Sequence, residues 1–217
     1  MARSHPIFAR YYARTSQAME RGIAAHRRTL LSGLSGQVIE VGAGNGLNFA
    51  HYPAEVTGVL AVEPEPLLRR LAQDNAATTP VPIEVVDGDA DHLPTKDGSC
   101  DAVVASLVLC SVPDQQSALA EMMRVLKPGG QLRFLEHVRA QSTGKRVTQR
   151  IVDATIWPTL GGGCHTARDT ENAIRQAGFR IDNIDHLAYA QTRIPFPASP
   201  QILGTATRPA YDPGQPA

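Results

Sequence analysis

From residue 37 onward, short β-branched and apolar runs alternate with longer amphipathic stretches, the pattern of a mostly parallel sheet covered on both faces by helices. The apolar runs predict strands at 37–41, 56–63, 81–86, 101–107, 131–138, 180–187 and 201–208. Helices fill the gaps. Pro66 stands near the start of one that runs toward Asn75, where proline's missing N–H costs little. Asp114 can cap another, in which Leu119, Met122 and Leu126 recur at helical spacing until Pro128, Gly129 and Gly130 stop it. Thr166 or Asp169 can cap a third, which ends near Gly178 as Phe179 opens the next strand. Met122 and Met123 read as core filler. The fold class is α/β, a doubly wound sheet over residues 37–208. Ahead of it, 1–36 read as one or two helices, including 18–31, that pack over the C-terminal edge of the sheet as a lid. Behind it, 209–217, with Pro213, Gly214 and Pro216, read as a flexible tail.

Composition narrows the class of ligand. At 217 residues there is room for one large domain. Lys plus Arg and Asp plus Glu are balanced at 21 each, so the electrostatic footprint of a nucleic-acid binder is missing and a small-molecule partner is expected. Arg3, Arg10, Arg14, Arg21, Arg27 and Arg28 make the first thirty residues locally basic, which reads as a solvated helix face. Cys100, Cys110 and Cys164 are odd in number and widely spaced, which favours a reducing compartment over a disulfide framework. No His/Cys spacing matches a zinc site, and no metal is expected. The longest apolar run, 102–112, is far short of the ~20 residues that span a bilayer, and no signal-peptide pattern opens the chain. A soluble cytoplasmic protein is the expectation.

The strongest local signal is Val38-Ile39-Glu40-Val41-Gly42-Ala43-Gly44-Asn45-Gly46, a buried strand running into a glycine turn where the backbone can approach a ligand closely. A dinucleotide fingerprint would place its third Gly or Ala at 47 or 49. Leu47 and Phe49 stand there, so a nicotinamide oxidoreductase loses ground. Glu40, just before the loop, suits a ligand with an ammonium or sulfonium and would repel a pyrophosphate. S-adenosylmethionine (SAM) carries both cations. Glu63, at the end of the second strand, can accept both ribose hydroxyls, and Asp89, with Ala90 after the third strand, can meet the adenine amine. Asn48, Pro64, Ser106, Leu107 and Val108 complete the expected cofactor contacts, and Tyr12, beside Tyr11, can close over the ligand.

With Arg124-Val125-Leu126-Lys127-Pro128-Gly129-Gly130 before the fifth strand, the chain resembles the class I SAM-dependent methyltransferases over nearly its whole length. Within them it is most similar to the alkyl-thiol S-methyltransferases, through Leu107-Val108-Leu109-Cys110-Ser111-Val112, Glu136-His137-Val138, and Gly163-Cys164-His165 followed by Arg168. The resemblance implies a Rossmann-like seven-stranded sheet with an antiparallel last strand, SAM across the tips of the first, second and fourth strands, a thiol acceptor, and S-adenosylhomocysteine as product. Two features depart from the pattern. The hydrophobic N-terminal anchor of the animal members is not seen, and Thr166-Ala167 replaces the expected Leu-Thr before the arginine.

Methyl transfer from a sulfonium is an in-line displacement that needs positioning and exclusion of water rather than a covalent nucleophile. A thiol needs only modest help to ionise at neutral pH. His137, at the tip of the fifth strand, and His165, in a glycine-rich turn, are the candidate catalytic bases, each with a structural role as the alternative. Cys110 and Trp157 are the candidate substrate contacts. Cys110 also reads as a small buried residue against the cofactor, and the segment 151–160 with Trp157 as a pocket wall or a core helix. N-, O- or C-methylation of a metabolite, quinone or phospholipid head group stays open, as does a domain that binds SAM only as a sensor.

Overall fold

The computed structural model describes residues 6–210, except for the side chains at 6, 7, 15, 17–19 and 21. The tail beyond 210 and Arg3, both singled out above, lie outside the described residues, as does the Arg21 side chain. Seven strands, β1 (Gly36–Val41), β2 (Val56–Val62), β3 (Ile83–Val86), β4 (Cys100–Ser106), β5 (Leu126–His137), β6 (Arg180–Leu187) and β7 (Gln201–Thr207), form one sheet in the order β3-β2-β1-β4-β5-β7-β6. β7 runs against the common direction of the other six strands, antiparallel to both β5 and β6. The expected seven-stranded, mostly parallel sheet is therefore present. Its order reverses between β1 and β4, and the carboxyl ends of those strands open the crevice where ligands gather in such sheets.

Strand alternation divides the core in two. Ile39, Val103 and Phe134 face one side, with Leu119 and Met122 of helix α3 (Gln115–Val125). Val38, Val104 and Leu135 face the other, with Ile23, Leu30 and Leu31 of helix α1 (Pro6–Leu31). Helix α2 (Pro66–Ala76) starts on its proline as the sequence predicts. α3 is capped by the Asp114 carboxylate, which accepts from the Gln116 N–H at 2.8 Å.

Local chemistry fixes three boundaries. Of the one or two helices the sequence allows before the sheet, the structure holds one continuous helix over Pro6–Leu31. β5 begins at Leu126, and the Pro-Gly-Gly turn is a four-residue excursion within it, as pairing jumps from Cys100↔Leu126 to Ala102↔Gln131. Asp169, not Thr166, takes the cap position of α6 (Thr170–Gln176), because the Thr166 hydroxyl and N–H are both bound by Asp153 at the end of α4 (Thr143–Asp153). A short helix, α5 (Trp157–Leu160), and the glycine turn after it follow α4. A one-turn helix, α7 (Tyr189–Thr192), links β6 to β7. Among the described residues no helix is long and apolar enough to cross a membrane.

Candidate active site

At the tip of β1 the chain turns through Gly42, Gly44 and Gly46, all at positive φ. Gly42 is required by packing as well as by conformation, since a Cβ there would stand 2.5 Å from the Val108 side chain. Opposite the turn, Glu63 at the end of β2 accepts the Gly44 N–H at 2.7 Å and the Glu65 N–H at 2.9 Å. Burial pushes the Glu63 carboxyl up, against these two donors. Glu40 lies deeper. Its two oxygens accept from Asn48 Nδ2 at 2.8 Å and Tyr52 Oη at 2.6 Å, and burial pushes its carboxyl up to about 7. Asn48 links Glu40 to helix α1, its Oδ1 accepting from Arg27 at 2.8 Å.

Helix α1 lies across this turn. Tyr12, half-buried and stacked on Phe8 with ring centroids 5.4 Å apart, stands over Gly44. Burial raises the Tyr12 phenol above its ordinary value. Arg27, 5% exposed, joins Glu20 at 3.0 Å, Asn48, and Ser106 Oγ at 3.3 Å. The space left between helix and turn is about 10 Å³, bounded by Tyr12, Arg27, Leu47 and Leu107 among others. That space does not admit an adenosyl ligand with α1 in this position. The residues beneath fit one: a bare turn, a buried carboxylate at the β2 tip, and Asn45 Oδ1, buried with no hydrogen-bond partner among the described residues. Pro64 and Asp89 follow the tips of β2 and β3. Asp89 is half-buried and bridged to His92, with Ala90 packed on the core.

The other half of the edge is built from three distant segments. Past Ser106, Leu107 takes a left-handed φ of 62°, an unusual conformation for leucine that turns the chain back over the β4 tip. Glu136, fully buried, holds this turn, accepting the N–H groups of Val108 and Leu109 at 2.9 Å and of Cys110 at 3.1 Å. Arg168 donates to the Leu109 carbonyl at 2.7 Å from the opposite side. The loop after α5 arrives through Gly163, whose φ of 90° and lack of a Cβ let it lie against the Ser111 carbonyl, 2.6 Å from where a Cβ would be. Asp153 pins the next residues, accepting from Thr166 and Ala167 at 2.8 and 2.9 Å. The result brings Cys110, His137 and Cys164 together. His137 Nδ1 is 3.6 Å from the Cys110 sulfur and 3.4 Å from the Cys164 sulfur. His137 Nε2 is buried with no hydrogen-bond partner among the described residues. The Cys164 hydrogen bond and burial raise the Cys110 thiol well above its ordinary value. Burial works to lower His137, but contact with Cys110 and the charge of Glu136 outweigh it and the imidazole is raised.

His137 and Cys110, both expected at the site, thus meet, and Cys164 joins them. His165 reaches the same place through its backbone, its N–H donating to the Cys110 carbonyl at 2.8 Å. Trp157 is half-buried and packs on the α1 side of the core, with Nε1 buried and unpartnered among the described residues. Sequence reasoning missed Arg27, which it left on a solvated face. The signal was its spacing from Ile23 and Leu31, i+4 and i−4 on the buried stripe of α1.

The profile of the family described as "Methyltransferase domain" matches residues 39–134. A human (Homo sapiens) thiol S-methyltransferase is 34% identical over 193 residues, 83% of this chain and 78% of the relative. Among solved structures, a SAM-dependent methyltransferase from Thermotoga maritima superposes with a TM-score of 0.68 at 20% identity, covering 94% of this chain and 99% of that one. A geranyl diphosphate methyltransferase in complex with SAM gives 0.67 at 16% identity, covering 88% and 90%.

Proposed function

The chain belongs to the class I SAM-dependent methyltransferases, and on that premise we propose that it moves a methyl group from SAM to the sulfur of a small thiol. The observation that carries the acceptor is the soft cluster of Cys110, His137 and Cys164, both sulfurs buried, at the tips of β4 and β5, beside the proposed cofactor crevice. The human relative's name as a thiol S-methyltransferase supports it.

SAM supplies an electrophilic methyl carbon on a sulfonium. Glu63 holds the ribose hydroxyls, exchanging its bond to the Gly44 N–H for them. Asp89 meets the adenine edge. Glu40, through Asn48, keeps negative charge near the ligand's ammonium, where a buried carboxylate acts at low dielectric. Helix α1 is the lid: it withdraws to admit SAM and returns Tyr12 over it, so that the transfer proceeds without water. His137 and the sulfurs receive the acceptor, fix its lone pair in line with the methyl carbon, and disfavour harder oxygen nucleophiles. The net change is RSH plus SAM to RSCH3, S-adenosylhomocysteine and a proton.

The test is incubation with SAM and a panel of thiols, amines, phenols and quinols, scored by mass spectrometry. Methylated thiol with an equal amount of S-adenosylhomocysteine is expected, and prior alkylation of the thiol abolishes it. Product from a sulfur-blocked acceptor overturns the thiol reading, and absence of any S-adenosylhomocysteine across the panel favours a sensor.

A further inference from the structure

Cys110, His137 and Cys164 come from three separate segments, yet their ligand atoms all lie within 4.8 Å of one another. Both cysteines are free and buried. The imidazole presents one nitrogen, Nδ1, to both sulfurs. A tetrahedral zinc with Zn–S of about 2.3 Å and Zn–N of about 2.0 Å sets S···N edges of roughly 3.5 Å. The observed 3.4 and 3.6 Å separations bracket that edge. A thiol pair poised only for a disulfide has no need of an imidazole between its sulfurs.

The donor set has the composition of an open site. Two thiolates and a neutral imidazole match a borderline-soft divalent cation in charge and in ligand preference. The group holds three ligands and no fourth among the described residues, as do zinc sites that act on a substrate, whereas purely structural sites are closed by four. The supports are built in: Glu136 fixes the Cys110 backbone, Asp153 fixes the segment after Cys164, and Gly163 lets that segment approach. The Arg168 guanidinium and the buried Glu136 carboxyl flank the cluster.

We propose that Cys110, His137 Nδ1 and Cys164 form a three-ligand site for one zinc-like cation whose fourth position takes the acceptor thiol as a thiolate. The inference rests on the thiol reading above and deepens it. Loading the cation releases the two cysteine protons to solvent, and entry of RSH releases a third as its sulfur becomes the fourth ligand. The bound sulfur then takes the methyl carbon of SAM as the carbon–sulfonium bond breaks, and the neutral thioether, a poorer ligand, leaves. The site selects sulfur over oxygen because a thiolate is the better ligand for such a cation.

The full-length chain, stripped by chelator, is dialysed against chelator-buffered zinc and its metal content measured by atomic emission. About one zinc per chain is expected, with affinity falling at least about a hundredfold in Cys110→Ser, Cys164→Ser and His137→Asn. Less than a tenth of an equivalent in the parent chain, or equal affinity in all three variants, overturns the site. Because variants can misfold, cobalt is also added to the unaltered chain. Intense visible bands of tetrahedral cobalt with sulfur charge-transfer absorption are expected, and 2-mercaptoethanol should perturb them; octahedral spectra overturn the site, and bands indifferent to the thiol overturn its open position. A metal-free chain that still methylates thiols at full rate sinks this inference and leaves the thiol transfer standing. A loaded chain whose cobalt bands respond to thiol but which forms no methylated sulfur upholds the site and sinks the transfer.

Discussion

The two halves of the sheet's C-terminal edge are made of different chemistry. At the tips of β1 and β2, Glu40 and Glu63 have every oxygen engaged, and the links run through hard oxygen and nitrogen groups to Asn48, Tyr52, Gly44 and Arg27. At the tips of β4 and β5 the groups are two sulfurs and an imidazole whose outer nitrogen is unpartnered among the described residues. On the proposed function, the first half holds a polar, cationic ligand by directional bonds and the second receives a polarisable atom. If one edge divides cofactor binding from acceptor choice in this way, substitutions in either half should separate affinity from turnover.

The largest expected separation is His137→Ala. Turnover should fall by about a hundredfold or more while SAM affinity stays within a few-fold, measured by initial rates and calorimetry on the same preparation. A matching loss of SAM affinity would erase the division. Next is Glu63→Ala, the mirror case: SAM binding should weaken by more than about tenfold in calorimetry, while turnover at saturating SAM is largely kept, since removing both ribose bonds affects the ground and transition states alike. Unchanged affinity would remove Glu63 from the ribose.

A third effect is pH-dependent. Burial raises Glu40 from its ordinary range to about 7, so the unliganded fold holds its proton more tightly than the unfolded chain does. The stability this contributes is full below the unfolded value and is lost as pH rises through about 7. Melting temperature of the unliganded chain should therefore drop over that window, and Glu40→Gln should flatten the drop. SAM, a cation, prefers the ionised carboxyl, and its affinity should rise roughly tenfold from pH 6 to pH 8, a gain absent in the same variant. An identical pH profile in the variant would assign the dependence elsewhere. The smallest effect is Arg27→Ala. Losing the links to Glu20, Asn48 and Ser106 should loosen α1, raising amide exchange along it and speeding SAM association by about threefold. Unchanged exchange would mean that the helix is held by its apolar stripe alone.

The same division explains what could be read from the sequence. The cofactor half is local: the run Val38–Gly46 carries strand, carboxylate and turn within nine residues, and Glu63 follows at the end of the next strand. Short β-branched and apolar runs marked the strands well enough that most ends fall within two residues of the observed ones, and Pro66 and Asp114 marked helix starts by their own chemistry. The acceptor half is not local. Cys110, His137 and Cys164 are separated by 27 residues at each step, and neither interval resembles a metal-ligand spacing. Their meeting depends on the left-handed turn at Leu107, the Gly163 approach to Ser111 and the grip of Asp153 on the 166–167 backbone. No periodicity encodes those. Arg27 was hidden differently: a charged residue on an amphipathic helix reads as exposed unless its partners, Asn48 and Ser106, are known to lie beneath it.

Transfer to sulfur is measured most directly with SAM labelled with carbon-13 at its methyl group and a single acceptor carrying a thiol, an amine and a hydroxyl. The carbon resonance of the product distinguishes a methyl on sulfur from one on nitrogen or oxygen. One new signal is expected, at the S-methyl position, growing in step with S-adenosylhomocysteine; label appearing on nitrogen or oxygen while the free thiol persists would contradict transfer to sulfur.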